Sequence, residues 1–360
     1  MKVVTFGEIM GCLNTKGYLT FKQALPGGMN MTFAGAETNI AASLSMLGAE
    51  AEFVTALPGH DVADACIAAL HAVGVGAQFI VQTQQGRLGL YFVETGANQR
   101  PSKVIYHRAG SSVSMTRADQ YAWDEAFKDP GCFHTKGITP ALSEIAAEAA
   151  CHAAKAAKEA GLMVSCDLNF RKKLWRWKLG VSQGALAGQT MRRLLPHVDV
   201  VIGNEEDAAD VLSVRAGDMN VYAGHLEIDT YPKVAEKIIE QFPNVSKVTI
   251  TLRESLSASH NNWGAMLYDR DRGQACFAPV SDGKYRPYAI KNIVDRVGDA
   301  FGAGLIYSVN SNAYADMDKA VAFAAAASCL AHSIVGDFNY STRTEVESLM
   351  QGSGSGRVVC

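Results

Sequence analysis

The sequence predicts an α/β fold: a doubly wound, mostly parallel sheet with helices on both faces, carrying a small β-sheet as a lid. Three observations predict it. Short apolar runs recur at Val3–Phe6, Ala51–Leu57, Gln78–Val81, Met163–Leu168, Val198–Ile202 and Lys247–Leu252. Helix-length segments separate most of them, and strand–helix alternation implies parallel strands joined by right-handed crossovers. Two stretches, 10–33 and 86–108, depart from that order and read as inserted hairpin strands.

Taken in order, Val3–Phe6 is a first buried strand, stopped by Gly7 and Glu8 and too short for a signal-peptide core. The stretch 10–33 contains Gly17-Tyr18 and Pro26-Gly27-Gly28 and lacks helical periodicity. A glycine–alanine turn at Ala34-Gly35-Ala36 leads into a helix over Glu37–Leu47, where Ile40, Leu44 and Leu47 fall on one face. Ala51–Leu57 follows as a strand and Val62–Val73 as a helix. The run Leu88–Val93 and the run Lys103–Tyr106 lie within 86–108; with 10–33 they make a small sheet that serves as a lid, a dimer surface, both, or an ordinary edge meander. Ala320–Ala331 is a core helix, too short for a membrane span. The whole of 1–360 reads as a single α/β domain, with 352–360 a flexible tail.

Composition narrows the function classes. The 360 residues carry a formal net charge of -3, which offers no footprint for nucleic acid. Hydrophobic residues make up 48% of the chain, enough for a sizeable core. The eight cysteines include no C-x-x-C pair, so neither a disulfide framework nor a zinc site is indicated, and a cytoplasmic location is expected. The expected partners are small molecules, with no nucleic acid and no membrane.

The stretch Ile293–Gly304 organises the rest. An apolar strand end reaches Gly298, and Asp299 opens a helix of small residues. The free N–H groups and positive dipole of a helix start can hold a phosphate or a developing anion. Asp299 at that rim either caps the helix or takes a proton from a hydroxyl attacking phosphorus. At other strand ends, Asp167-Leu168-Asn169-Phe170-Arg171-Lys172-Lys173 reads as a solvated charged turn or as a basic group that binds a carboxylate or phosphate. Gly203-Asn204-Glu205-Glu206-Asp207 reads as a helix cap or, near a nucleotide, an outer-shell magnesium site.

Ala34–Ala41 resembles the first signature of the ribokinase-like (PfkB) sugar kinases, and Asp295–Gly304 resembles their second. The segments Val3–Met10, Arg100–Tyr106, Asp167–Trp175, Thr251–Ser255 and His332–Asn339 are similar to those of 2-keto-3-deoxygluconate kinases within that family. The resemblance implies ATP-dependent phosphorylation of 2-keto-3-deoxygluconate to its 6-phosphate, with ATP and Mg²⁺ required, a monovalent cation left open, and a homodimer or higher homo-oligomer. It implies Asp299 as catalytic base and Gly298 in the anion hole. It also implies sugar contacts at Gly35, Asn39, Tyr91, Tyr106, Arg108, Arg171 and Asp337. On the nucleotide side it implies Asn169, Asn204, Thr251 and Arg253, with Asp207 holding magnesium through water.

Two arginines are expected to neutralise a sugar-acid carboxylate, and two tyrosines to offer hydroxyls and a flat apolar face. The chain departs from the family pattern between Asp295 and Asp299, where two residues are missing. Two readings follow: a sugar-acid kinase, and a catalytically weakened sugar-acid-binding protein of the same fold. Kinases for fructose, ribose or a nucleoside are further alternatives within the family.

Overall fold

The structure is a computed structural model that describes residues 1–129, 131–215, 228–257, 259–293 and 298–352. Most of the loop between Asp295 and Asp299, and tail residues 353–360, lie outside the described residues.

Among the described residues the main sheet has 11 strands. Its central path runs Lys247–Ser257, Val200–Gly203, Met163–Asp167, Gly131–Lys136, Lys2–Phe6, Glu50–Pro58 and Val75–Gly76, all parallel. Ile80–Thr83 joins the far part of Glu50–Pro58, also in parallel. Beyond Lys247–Ser257 the sheet turns antiparallel, through His260–Asp269 and Gln274–Ala278. This antiparallel edge has no counterpart among the sequence-based strands.

Strands covered on both faces need apolar side chains in both directions, which explains their near-continuous apolar runs. Val4, Phe6 and Val54 pack on one side with helices Glu144–Glu159, Gln183–Leu194 and Tyr231–Gln241. Val3 and Phe53 face the other side, against helices Ala36–Met46 and Asp61–Ala72. Helix Asp299–Val309 approaches its neighbours closely because it carries glycines. A Cβ on Gly304 would stand 2.9 Å from the Ala324 Cα of helix Met317–Ala331, and one on Gly302 would stand 3.0 Å from Ile40.

The chain starts in Lys2–Phe6, builds outward on one side through Glu50–Pro58, then returns to add Gly131–Lys136 on the other. That reversal opens a crevice at the carboxyl ends of the two central strands, where open α/β sheets bind ligands. A second sheet of four strands stands beside it, in the order Asn30–Ala34, Met10–Asn14, Gly89–Glu94 and Lys103–His107. Met10–Asn14 pairs with Gly89–Glu94 in parallel, and the outer pairings are antiparallel.

Candidate active site

Two cavities meet at the crevice. The larger, about 530 Å³, lies over the ends of the strands and holds Asn169, Asn204, Asp207, Thr251, Arg253, Gly298 and Asp299 in its walls. The smaller, about 290 Å³, is walled on one side by the four-stranded sheet. Gly35, Asn39, Tyr91, Tyr106, Arg108, Arg171 and Asp337 all line it. Apart from Asn169 and Arg171, the residues expected at the nucleotide and at the sugar line separate cavities. Asn169, Arg171 and Asp299 stand in both walls.

Asp299 is the first residue of its helix, after Gly298. Among the described residues a Cβ on Gly298 would meet nothing within 4 Å, and Gly298 lines the larger cavity. Both oxygens of Asp299 are engaged. Asn39 Nδ2 donates to Oδ2 at 2.8 Å, and Lys136 Nζ donates to Oδ1 at 2.5 Å. Asn39 Oδ1 in turn accepts from the Gly35 N–H at 3.3 Å, which ties the starts of two helices together. Gly35 has no room for a side chain, because a Cβ there would lie 1.9 Å from the Glu8 carbonyl oxygen.

Lys136 escaped the sequence reading, and register explains its position. It ends the strand Gly131–Lys136 and is the direct partner of Asp167 across the parallel pairing, so the two side chains project together. Lys136 Nζ lies 2.9 Å from Asp167 as well as 2.5 Å from Asp299. The ammonium is 1% exposed and the two carboxylates are 16% and 18% exposed. Burial opposes charge on Lys136, but Asp167 and Asp299 outweigh it and raise its pKa. Burial likewise opposes charge on Asp167, and Lys136 overcomes it and holds that carboxyl below its ordinary range.

Glu37 lies behind this group, accepting from Thr139 at 2.6 Å and from the Lys136 N–H at 3.2 Å. Burial pushes it up to about 7 against the pull of Thr139 and Lys136.

Asn169 adopts a left-handed φ of 34°, and Asp167 Oδ1 accepts from its N–H at 3.1 Å. That turn carries Arg171 to the junction of the cavities. Asn204 caps helix Glu205–Leu212, accepting from the Asp207 N–H at 2.7 Å, and Asp207 accepts from the Phe170 N–H at 3.0 Å. Burial, then the charge of Asp167, push Asp207 up to about 7. Glu205, Glu206 and Asp207 all line the larger cavity, an oxygen donor set suited to magnesium that keeps its waters. Among the described residues no three His, Cys, Asp or Glu side chains converge into a dedicated metal cage. Trp263, Phe301 and His332 supply the flat, apolar part of that wall; the sequence reading assigned none of them a role.

In the smaller cavity Tyr91 donates to Asp337 at 3.0 Å and lies 5.9 Å from the Tyr106 ring. The two arginines differ. Arg108 is buried and ion-paired with the buried carboxylate of Glu8. Its charge is already met, which revises the expectation of two arginines free to neutralise a substrate carboxylate. Arg171 is exposed and pairs with no carboxylate among the described residues.

The model of the pfkB family carbohydrate kinases matches residues 1–340 of the chain. A 2-dehydro-3-deoxygalactonokinase from Haloferax volcanii is 30% identical over 357 residues, covering 99% of this chain and 98% of the relative. The crystal structure of 2-dehydro-3-deoxygluconokinase from Thermotoga maritima superposes with a TM-score of 0.86 at 38% identity, covering 98% of this chain and 100% of that one. A fructokinase from Xylella fastidiosa with bound ATP shares the fold, with a TM-score of 0.73 at 21% identity and coverage of 98% and 99%. Among the described residues no helix is long and apolar enough to cross a membrane.

Proposed function

Because this chain belongs to the pfkB family of carbohydrate kinases, we propose that it transfers the γ-phosphoryl group of ATP to the 6-hydroxyl of 2-keto-3-deoxygluconate. The observation that carries the reading is Asp299 standing in the walls of both cavities, fixed at each oxygen by a donor. A carboxylate there reaches a hydroxyl presented from the smaller cavity while the helix start at Gly298 faces phosphate in the larger one.

In the transfer, the hydroxyl oxygen forms a bond to the γ-phosphorus, the bond to the β–γ bridging oxygen breaks, and ADP leaves. The hydroxyl proton passes to Asp299. N–H groups at the start of helix Asp299–Val309 stabilise charge on the moving phosphoryl group. Glu205, Glu206 and Asp207 would hold magnesium through its waters, and the ion would neutralise charge on the β- and γ-phosphates.

A sugar acid fits the smaller cavity because exposed Arg171, which forms no ion pair with a carboxylate among the described residues, offers a positive charge, while Tyr91, Tyr106 and Asp337 offer polar groups for hydroxyls. Two relatives, named for the galactonate and gluconate epimers, support this substrate class. The four-stranded sheet acts as a lid, and its outer strand Lys103–His107, exposed throughout, is the surface on which a second copy would pair. The test is ADP release with magnesium and ATP, comparing 2-keto-3-deoxygluconate, its galactonate epimer and fructose. The proposal expects fastest turnover with the gluconate acid; fastest turnover with fructose would refute it.

A second reading, a sugar-acid-binding protein with weakened transfer, draws on the ammonium of Lys136 at Asp299. It expects calorimetric binding of the acid without ADP release.

A further inference from the structure

The geometry points to Lys136 as a positioning residue for phosphoryl transfer, its ammonium fixing the Asp299 carboxylate in the seam between the two cavities. This rests on Asp299 being the base, as proposed above.

Three observations carry the inference. First, the position of Lys136 follows from strand register: it is paired with Asp167 at the carboxyl edge of the sheet, so its side chain reaches the crevice from below. Second, the ammonium itself is sealed while both of its carboxylate partners open to the larger cavity. The charge therefore acts on ligands through those carboxylates. Third, Lys136 and Asn39 each take one oxygen of Asp299, so the carboxylate cannot rotate without breaking a bond at one end.

Stability alone does not account for such a residue. A buried ion pair is often no more stabilising than apolar side chains of the same volume, because desolvation offsets the attraction. A lysine needed only to brace two strand ends would have apolar substitutes. An apolar residue would leave Asp299 and Asp167 facing each other without that counter-charge, with Oδ1 of Asp299 losing its Lys136 donor while Asn39 still holds Oδ2.

The experiment measures ADP formation by the full chain with magnesium, ATP and whichever of the two sugar acids or fructose is turned over fastest. Lys136→Met should lower kcat by about 10²-fold, the cost of a misplaced group of this kind, with little change in KM. Lys136→Ala should behave likewise and regain turnover when propylamine is added, because the free amine can refill the vacated position. Lys136→Met at or above wild-type turnover would overturn the inference and make Lys136 a brace or a lock on Asp299; activity gained by the variant of an inactive wild type would do the same.

If Lys136→Met does not fold, Lys136→Arg decides. It keeps the charge but not its point of delivery, so lost turnover at unchanged melting temperature supports positioning, and unchanged turnover refutes it. Asp299→Asn separates the two claims. Full activity in that variant removes the base itself, whereas an inactive Asp299→Asn beside an active Lys136→Met removes only the role of Lys136.

Discussion

Two buried cations in this protein have opposite fates. Arg108 stands in the wall of the smaller cavity but is matched by Glu8, which is itself only 3% exposed and lines neither cavity. Lys136 is matched by Asp167 and Asp299, both partly open to the larger cavity. Burial of the positive group is similar in the two cases. The exposure of its partner decides whether the charge serves the fold or the ligand, and the comparison ranks residues that sequence alone would treat as equals.

The open side is tested hardest by Asp299→Asn, which keeps size and shape but cannot accept the hydroxyl proton. Turnover should fall by roughly 10²–10⁴-fold with sugar affinity little changed, as read by steady-state kinetics beside calorimetry. Loss of binding in parallel would make Asp299 a structural cap. The sealed side is tested by Arg108→Leu, which strands the Glu8 carboxylate in a buried site. Urea denaturation should show about 3–5 kcal/mol of lost stability, and adding Glu8→Gln should recover much of it. A stable Arg108→Leu protein that binds the acid poorly would reverse the assignment of the two arginines.

Arg171→Leu sharpens the contrast, since its guanidinium is exposed at the junction of the cavities. It should weaken binding of a sugar acid by about 1.5–3 kcal/mol and leave unfolding unchanged, with affinity for a neutral sugar unaffected. The smallest effect belongs to Glu37, buried behind Lys136 and raised to about 7. The folded state then holds a proton that the unfolded chain has released, so stability falls as pH rises from the ordinary glutamate range to about 7. Glu37→Gln preserves the acceptor for Thr139 and removes this titration. Between pH 6 and pH 7 the wild type should lose about 1 kcal/mol more than the variant in denaturation curves.

Much of the fold was legible because the parallel strands are apolar on both faces and the helices between them have the right length. The strand Gly131–Lys136 was not, and its residues show why. His134, Thr135 and Lys136 are polar yet buried, made tolerable by partners distant in sequence: His134 bonds Ser165 at 2.7 Å and Thr135 donates to the Phe6 carbonyl at 3.1 Å. Hydrophobic periodicity cannot register a strand whose burial depends on cross-strand hydrogen bonds. The site shows the same division. Asp299, Gly298 and Gly35 announce themselves through local turn chemistry, whereas Glu8 beside Arg108, and Lys136 beside Asp299, are meetings that only the folded topology creates.

Asn169, Arg171 and Asp299 form a shared wall between the cavities, so a ligand in either one meets the same three side chains. Thermodynamic linkage then imposes symmetry: if an occupied sugar cavity changes the affinity for ADP by some factor, bound ADP must change the affinity for the sugar acid by the same factor. Any such factor belongs to both cavities at once, and Asn169, Arg171 and Asp299 are the residues their walls share.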